Sequence, residues 1–304
     1  MKSDVNNMND GNVTFARCSI VRRDLVFISA QVTELNERNV DHTKVLRWKD
    51  GAFVHFMIDW ATTAISATTP PLTLLSMGLD GDIHVFQGSN RTTERIVGPG
   101  DFGPLRDMRL IAGAHYAAGM QRQVYRRNDD GSWQSIADAI LNREGIKGFN
   151  AIDGFAPNEL YTVGMDGEIW IFDGQRWQAL ESPTSVALQA VHCSEDGTAY
   201  IVGQAGVVLF GRGDQWDFID LSDFSEDLWG VQTFDGTLFV ASSKGVYRII
   251  DGELKKADIG SVGTGSASYL TKGDGVLWSV GNRHLAYTAD GENWTVVDYD
   301  DASY

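Results

Sequence analysis

The chain has 304 residues, 43% of them hydrophobic, which is enough to bury a core and excludes a disordered protein away from the ends. Lysine and arginine number 25 against 41 aspartates and glutamates, a formal charge of −16. Such a surface repels phosphate backbones and anionic lipid, so nucleic acid and membrane are excluded as natural partners and a basic protein or a cation is favoured.

The opening segment, MKSDVNNMNDGN, has no apolar run after its lysine and reads as lacking a signal peptide. No stretch is long and apolar enough to span a bilayer. Cys18 and Cys193 are far apart and make no disulfide framework, so a cytoplasmic, reduced protein is expected. Residues 1–11 and 300–304 are polar and expected to be loose, leaving one domain over 12–299.

Within that domain the chain is a series of short apolar runs rich in Val, Ile, Phe, Tyr and Trp, bounded by Gly and Asp. That is the pattern of strands joined by hairpins. A first unit reads SIVRR, LVFISAQVTEL, TKVLRWK and AFVHFMI, with Asp50-Gly51 turning between the last two. After a linker from Trp60 to Pro71, a second reads LTLLSMGLDGDIHVFQG. The third carries Gly119 and Trp133, followed by the one helix-like segment, Ser135 to Arg143, expected to form a turn or two on a connection.

The fourth and fifth units nearly repeat each other. LYTVGMDGEIWIFDGQRWQAL and AYIVGQAGVVLFGRGDQWDFI set Gly164, Gly167 and Trp177 against Gly203, Gly206 and Trp216, always 39 residues apart. The sixth has Lys255 in place of the tryptophan, and the seventh restores the pattern with Gly281 and Trp294, 78 residues after Gly203 and Trp216. The first-strand positions Ile152, Val191, Val231 and Leu270 keep nearly the same step.

Four antiparallel strands in each unit of about 40 residues is the pattern of a propeller blade. The fold class expected is all-β: a single β-propeller of seven four-stranded antiparallel blades, or six with a separate N-terminal hairpin. Trp177, Trp216 and Trp294 recur at one repeat position and are expected to fill gaps between blades. The glycines at 164, 203 and 281 are read as turn residues. Gly263-Thr264-Gly265 is a loop, because it lacks the third glycine and the helix of a dinucleotide fingerprint.

The segment Thr288-Ala289-Asp290-Gly291-Glu292-Asn293-Trp294 resembles a shortened Asp-box, the S/T-x-D-…-G-…-W hairpin. Asn128 to Trp133 and Phe172 to Trp177 are looser versions. Over about residues 70–298 the chain resembles Asp-box, or BNR-like, bacterial propellers of the sialidase type and of the photosystem II assembly-factor type. The resemblance implies the fold. It also implies that these hairpins are structural and lie away from the working face, so none of their residues carries over as catalytic.

Candidate chemistry is sparse. Histidines 42, 55, 84, 115, 192 and 284 have no metal-binding spacing, and no G-x-S-x-G elbow is present. No catalytic residue, metal ligand or cofactor is expected. Arg91, Arg109 and Arg283 are the arginines that a sialidase-like site would need to converge. The clearest charged feature is DQWDFIDLSDFSED, from Asp214 to Asp227, with six carboxylates and no basic residue. Its connector offers Phe224 among Asp223, Glu226 and Asp227, and Asp80, Asp82, Asp166 and Glu168 add charge to the same face. An aromatic anchor ringed by carboxylates suits a basic surface. A solvated loop with Phe224 tucked inward is the plainer arrangement.

The expected function is therefore a non-catalytic, monomeric, protein-binding propeller that neutralises a basic partner, as an immunity protein does for an interbacterial toxin. The alternatives are a glycan-binding or glycan-hydrolysing propeller and an assembly factor of a larger complex.

Overall fold

A computed structural model describes residues 13–142, 144–145, 147–221, 224–260 and 267–300. The 1–11 arm, the 300–304 tail beyond residue 300, the Gly263–Gly265 loop and Asp223 lie outside them. The described strands form seven four-stranded antiparallel sheets, each built from one contiguous stretch. The sheets span 13–58, 62–95, 105–135, 149–180, 188–218, 228–256 and 267–296 and are numbered here as blades 1 to 7. The first strand of each blade packs against the first strands of its neighbours, as Val13–Arg22 does with Thr62–Thr68 and Ala267–Gly273, so these strands line the centre of a ring. The protein is a seven-bladed β-propeller, and the irregular first unit is a complete blade rather than a separate hairpin.

Two local readings differ from the structure. The second strand of blade 1 stops at Val32, and Thr33–Glu37 forms a short helix where the sequence suggested continued strand. The stretch read as a linker, Trp60 to Pro71, holds the first strand of blade 2, Thr62–Thr68, while the segment after Trp133 forms one 3-10 turn, Asp138–Ile140, within the turn or two expected.

The repeat residues act mainly between blades. Trp177 donates its indole N–H to the Ile136 carbonyl before blade 4 (2.9 Å), Trp133 of blade 3 donates to Glu94 of blade 2 (2.9 Å), and Trp216 meets Tyr161 of blade 4 edge-on. Trp294 packs on Phe239 of blade 6. Arginine–glutamate pairs clamp the same junctions: Arg127 to Glu94, Arg212 to Glu159 and Arg248 to Glu292.

Gly164 and Gly203 have extended backbones, with φ of −170° and −158°, which any residue adopts. Their need for glycine is close approach. A Cβ on Gly164 would collide with the Gly148 carbonyl, and one on Gly203 would lie 2.5 Å from the Ala187 carbonyl. The left-handed turn conformations belong instead to Gly167 and Gly206, three residues on.

The Asp-box hairpin of blade 7 is tied together by its own residues. Asp290 accepts from the Asn293 side chain (2.8 Å) and from the Asn293 and Glu292 amides (2.8 and 2.9 Å), which hold its carboxyl well below the usual carboxylate range. This hairpin joins strands three and four. It therefore lies on the end of the ring opposite the loops between strands two and three.

Candidate partner-binding surfaces

The ring has two ends. The loops between strands two and three and the blade-to-blade connectors meet at one, since Gly206 abuts Phe224 of the following connector and Gly167 abuts Thr184. The hairpins joining strands one and two, and three and four, form the other.

The acidic residues expected to bind a partner sit at the loop end in three separate groups. Asp80 and Asp82 are in the loop of blade 2, with Asp82 paired to Arg95. Asp166 and Glu168 are in the loop of blade 4. Glu168 is only 11% exposed and is held by Arg122 of blade 3 through a pair of hydrogen bonds, one of them 3.0 Å. Arg122 in turn stacks over Trp170, and Lys147 stands 4.0 Å from Asp166. Glu226 pairs with Lys244, and Asp227 accepts the Ala205 amide at 3.0 Å. Phe224 is half-buried against Tyr247 (5.2 Å) and so projects nothing outward. The exposed aromatic of this region is Trp229, at the start of the first strand of blade 6.

The arginines named for a sialidase-like site do not converge. Arg91 lies on the outermost strand of blade 2 over Phe56 and Phe86, while Arg109 is on the first strand of blade 3. Arg109 reaches across the channel to the Tyr269 hydroxyl of blade 7 (3.3 Å) and pairs with Asp107 (3.3 Å), and Arg17 of blade 1 stacks over the same Tyr269 ring. Burial opposes the Arg109 charge, but Tyr269, Asp107 and Asp153 outweigh it and hold the guanidinium above its ordinary range. Asp107 also accepts the Ile152 amide (3.2 Å), so this cluster consumes its own charges in bridging the channel.

Four of the six histidines make structural hydrogen bonds: His42 to the Val32 amide, His115 to Ser66, His192 to Thr233 and His284 to Ser279. Burial pushes His115 and His284 down to about 4. Among the described residues, no three His, Cys, Asp or Glu side chains gather as a metal site requires.

A feature the sequence did not reveal lies toward the hairpin end: a groove of about 890 Å³ between blades 5 and 6. One wall is Tyr200 and Phe210, direct cross-strand partners in blade 5, and the other is Leu238 and Ile249, partners in blade 6. Its inner end is closed by the buried set Ser194, Thr233 and His192, with oxygens of Ser194 and Thr233 3.0 Å apart. Carboxylates from separate stretches rim it: Glu195 and Asp196 from a blade 5 hairpin, Asp235 and Asp251 from blade 6 hairpins, and Asp220 from the connector. Lys272 reaches in from blade 7 and bonds Glu195 at 3.1 Å. Among the described residues, no lysine or arginine pairs with Asp196, Asp235 or Asp251. The signals were present in the sequence, but the Asp-Gly pairs read as turns. Asp235-Gly236 and Asp251-Gly252 are indeed turns, both residues of each having positive φ.

No protein-family model matches the chain. The immune protein Tsi7 of Pseudomonas aeruginosa is 38% identical over 290 residues, covering 91% of this chain and 94% of that protein. Among solved structures, YCF48 bound to D1 peptide superposes with a TM-score of 0.69 at 14% identity, over 96% of this chain and 94% of that one. A catalytically inactive virginiamycin B lyase from Staphylococcus aureus, with quinupristin, gives 0.75 at 9% identity, over 92% and 96%. At such identities the two structures speak for the fold alone.

Proposed function

Because the chain belongs to the family of the immune protein Tsi7, we propose that it is itself an immunity protein, which binds a toxin and blocks it without catalysing a reaction. The observation that carries this reading is identity sustained across nearly the whole of both chains, covering all seven blades rather than one motif. Immunity of this kind works by occupancy, and a rigid ring with variable loops and hairpins suits it.

The finer parts of the proposal rest on charge. A formal charge of −16 favours a basic toxin, steers its approach and makes association faster at low salt. The protein acts as a monomer in the cytoplasm, where it meets the toxin before the toxin meets its substrate.

The test is growth. Proteins encoded beside this chain are expressed singly and together with it. One is expected to arrest growth alone and to be tolerated in its company, and to co-purify with it at low salt. If none is neutralised by the intact chain, the immunity reading is wrong.

A further inference from the structure

We propose that the groove between blades 5 and 6 is the docking site for an arginine- or lysine-bearing apolar segment of the toxin. The inference rests on the immunity reading for the identity of the partner, and on the groove alone for its chemistry.

Three observations carry it. First, the groove is concave and walled by aromatic and aliphatic side chains, with Phe210 37% exposed, so an apolar segment has surface to bury. Second, its rim is acidic from several independent stretches, and Asp196, Asp235 and Asp251 are exposed. Exposed carboxylates from separate stretches favour a cationic guest over an anionic or neutral one. Third, the chain already makes one contact of the required kind there. Lys272, only 24% exposed, lays its ammonium on the exposed rim residue Glu195, although the two residues belong to blades 7 and 5. Asp196, Asp235 and Asp251 offer the same contact to a guest.

The loop end competes poorly as the electrostatic site. Asp82, Glu168 and Glu226 are paired with the chain's own Arg95, Arg122 and Lys244, and Asp227 is spent on a backbone amide. A cation arriving at any of these four must displace an internal partner first.

Two variants of matched charge test the proposal. The groove variant carries Asp196→Asn, Asp235→Asn and Asp251→Asn, and the loop variant carries Asp80→Asn, Asp166→Asn and Asp227→Asn. Asparagine keeps the side-chain acceptor and tolerates positive φ, so both should melt like the parent. The first probe is a labelled synthetic peptide alternating arginine and leucine. The groove variant should lose about tenfold or more in affinity while the loop variant changes less than about twofold. Equal losses, or a larger loss in the loop variant, overturn the proposal, the latter pointing to the surface around Trp229. The second readout is growth with the toxin found by co-expression. If the intact chain neutralises it and the groove variant does so equally well, the groove is wrong and the immunity reading stands. If the intact chain neutralises nothing while the peptide still loses affinity for the groove variant, the immunity reading fails and the cation-binding groove remains.

Discussion

The two ends of the ring carry similar residues and use them differently. At the loop end, Asp82, Glu168 and Glu226 are answered by arginines and lysines from the same chain, and glycines let backbone press on backbone. At the hairpin end, the blade 5–blade 6 groove leaves carboxylates unanswered and aromatic surface open. Satisfied charge stiffens a scaffold, whereas unsatisfied charge is a standing invitation to a partner. The difference separates what holds this propeller together from what it has to offer.

Acid challenges both ends at once and should have the largest effect. His115, near the hairpin end, and His284, at the loop end, have folded-state values of about 4. An unfolded histidine titrates near 6.5, so between these values the unfolded chain takes up the extra protons and stability falls as pH drops from about 6.5 to 4. Each site should contribute a loss of about 3 kcal/mol across that window, with no further loss from it below. Melting curves at stepped pH check this, and His284→Asn should flatten its share of the slope.

Glycine substitutions sharpen the contrast. Gly164→Ala at the loop end forces a Cβ against the Gly148 carbonyl and should cost about 3 kcal/mol. Gly236→Ala at the groove rim meets open space and strains only a positive φ, so it should cost about 1 kcal/mol. Denaturant unfolding of the pair decides, and equal costs would break the comparison.

Ion pairs come next. Arg122→Ala leaves the largely buried Glu168 with only the more distant Lys147, 3.9 Å away, and should destabilise by about 2 kcal/mol. The smallest effect on stability belongs to the groove: Asp235→Asn should move unfolding by less than about 0.5 kcal/mol while weakening toxin binding about threefold. A large loss of stability there would mean the groove is structural.

The propeller was legible in the sequence because its repeat is periodic, and periodicity survives the absence of coordinates. The tryptophans were read correctly as packing, since one position occupied three times cannot be one site. The glycines were placed correctly but for the wrong reason. Gly164 and Gly203 answer to the carbonyl of a residue 16 positions earlier in each case, a contact that no local turn rule reports. At the candidate surface, the sequence singled out Phe224, which packs against Tyr247 from the third strand of blade 6, a contact the connector sequence does not report, while the exposed aromatic is Trp229. The groove was invisible because its acids come from hairpins about a repeat apart. Asp235 and Asp251 also had a sufficient local explanation as turn formers, which concealed that they share a rim.

The ring closes without a shared strand. Blade 1 meets blade 7 through Phe15, whose amide bonds Asn282, through Trp48 on Trp278 and Tyr287, and through Tyr299, which sits against Phe15 and Phe53. Every other junction brings together segments already adjacent along the chain. This one must gather ends separated by nearly the whole domain, at a loop-closure entropy of about 5 kcal/mol, against about 2 kcal/mol for a connector of ten residues. The concentration of aromatic rings at that seam is what such a closure demands. The last event in assembly, and the first in mechanical opening, should therefore be the docking of Tyr299 onto blade 1, which makes the seam the latch of the ring.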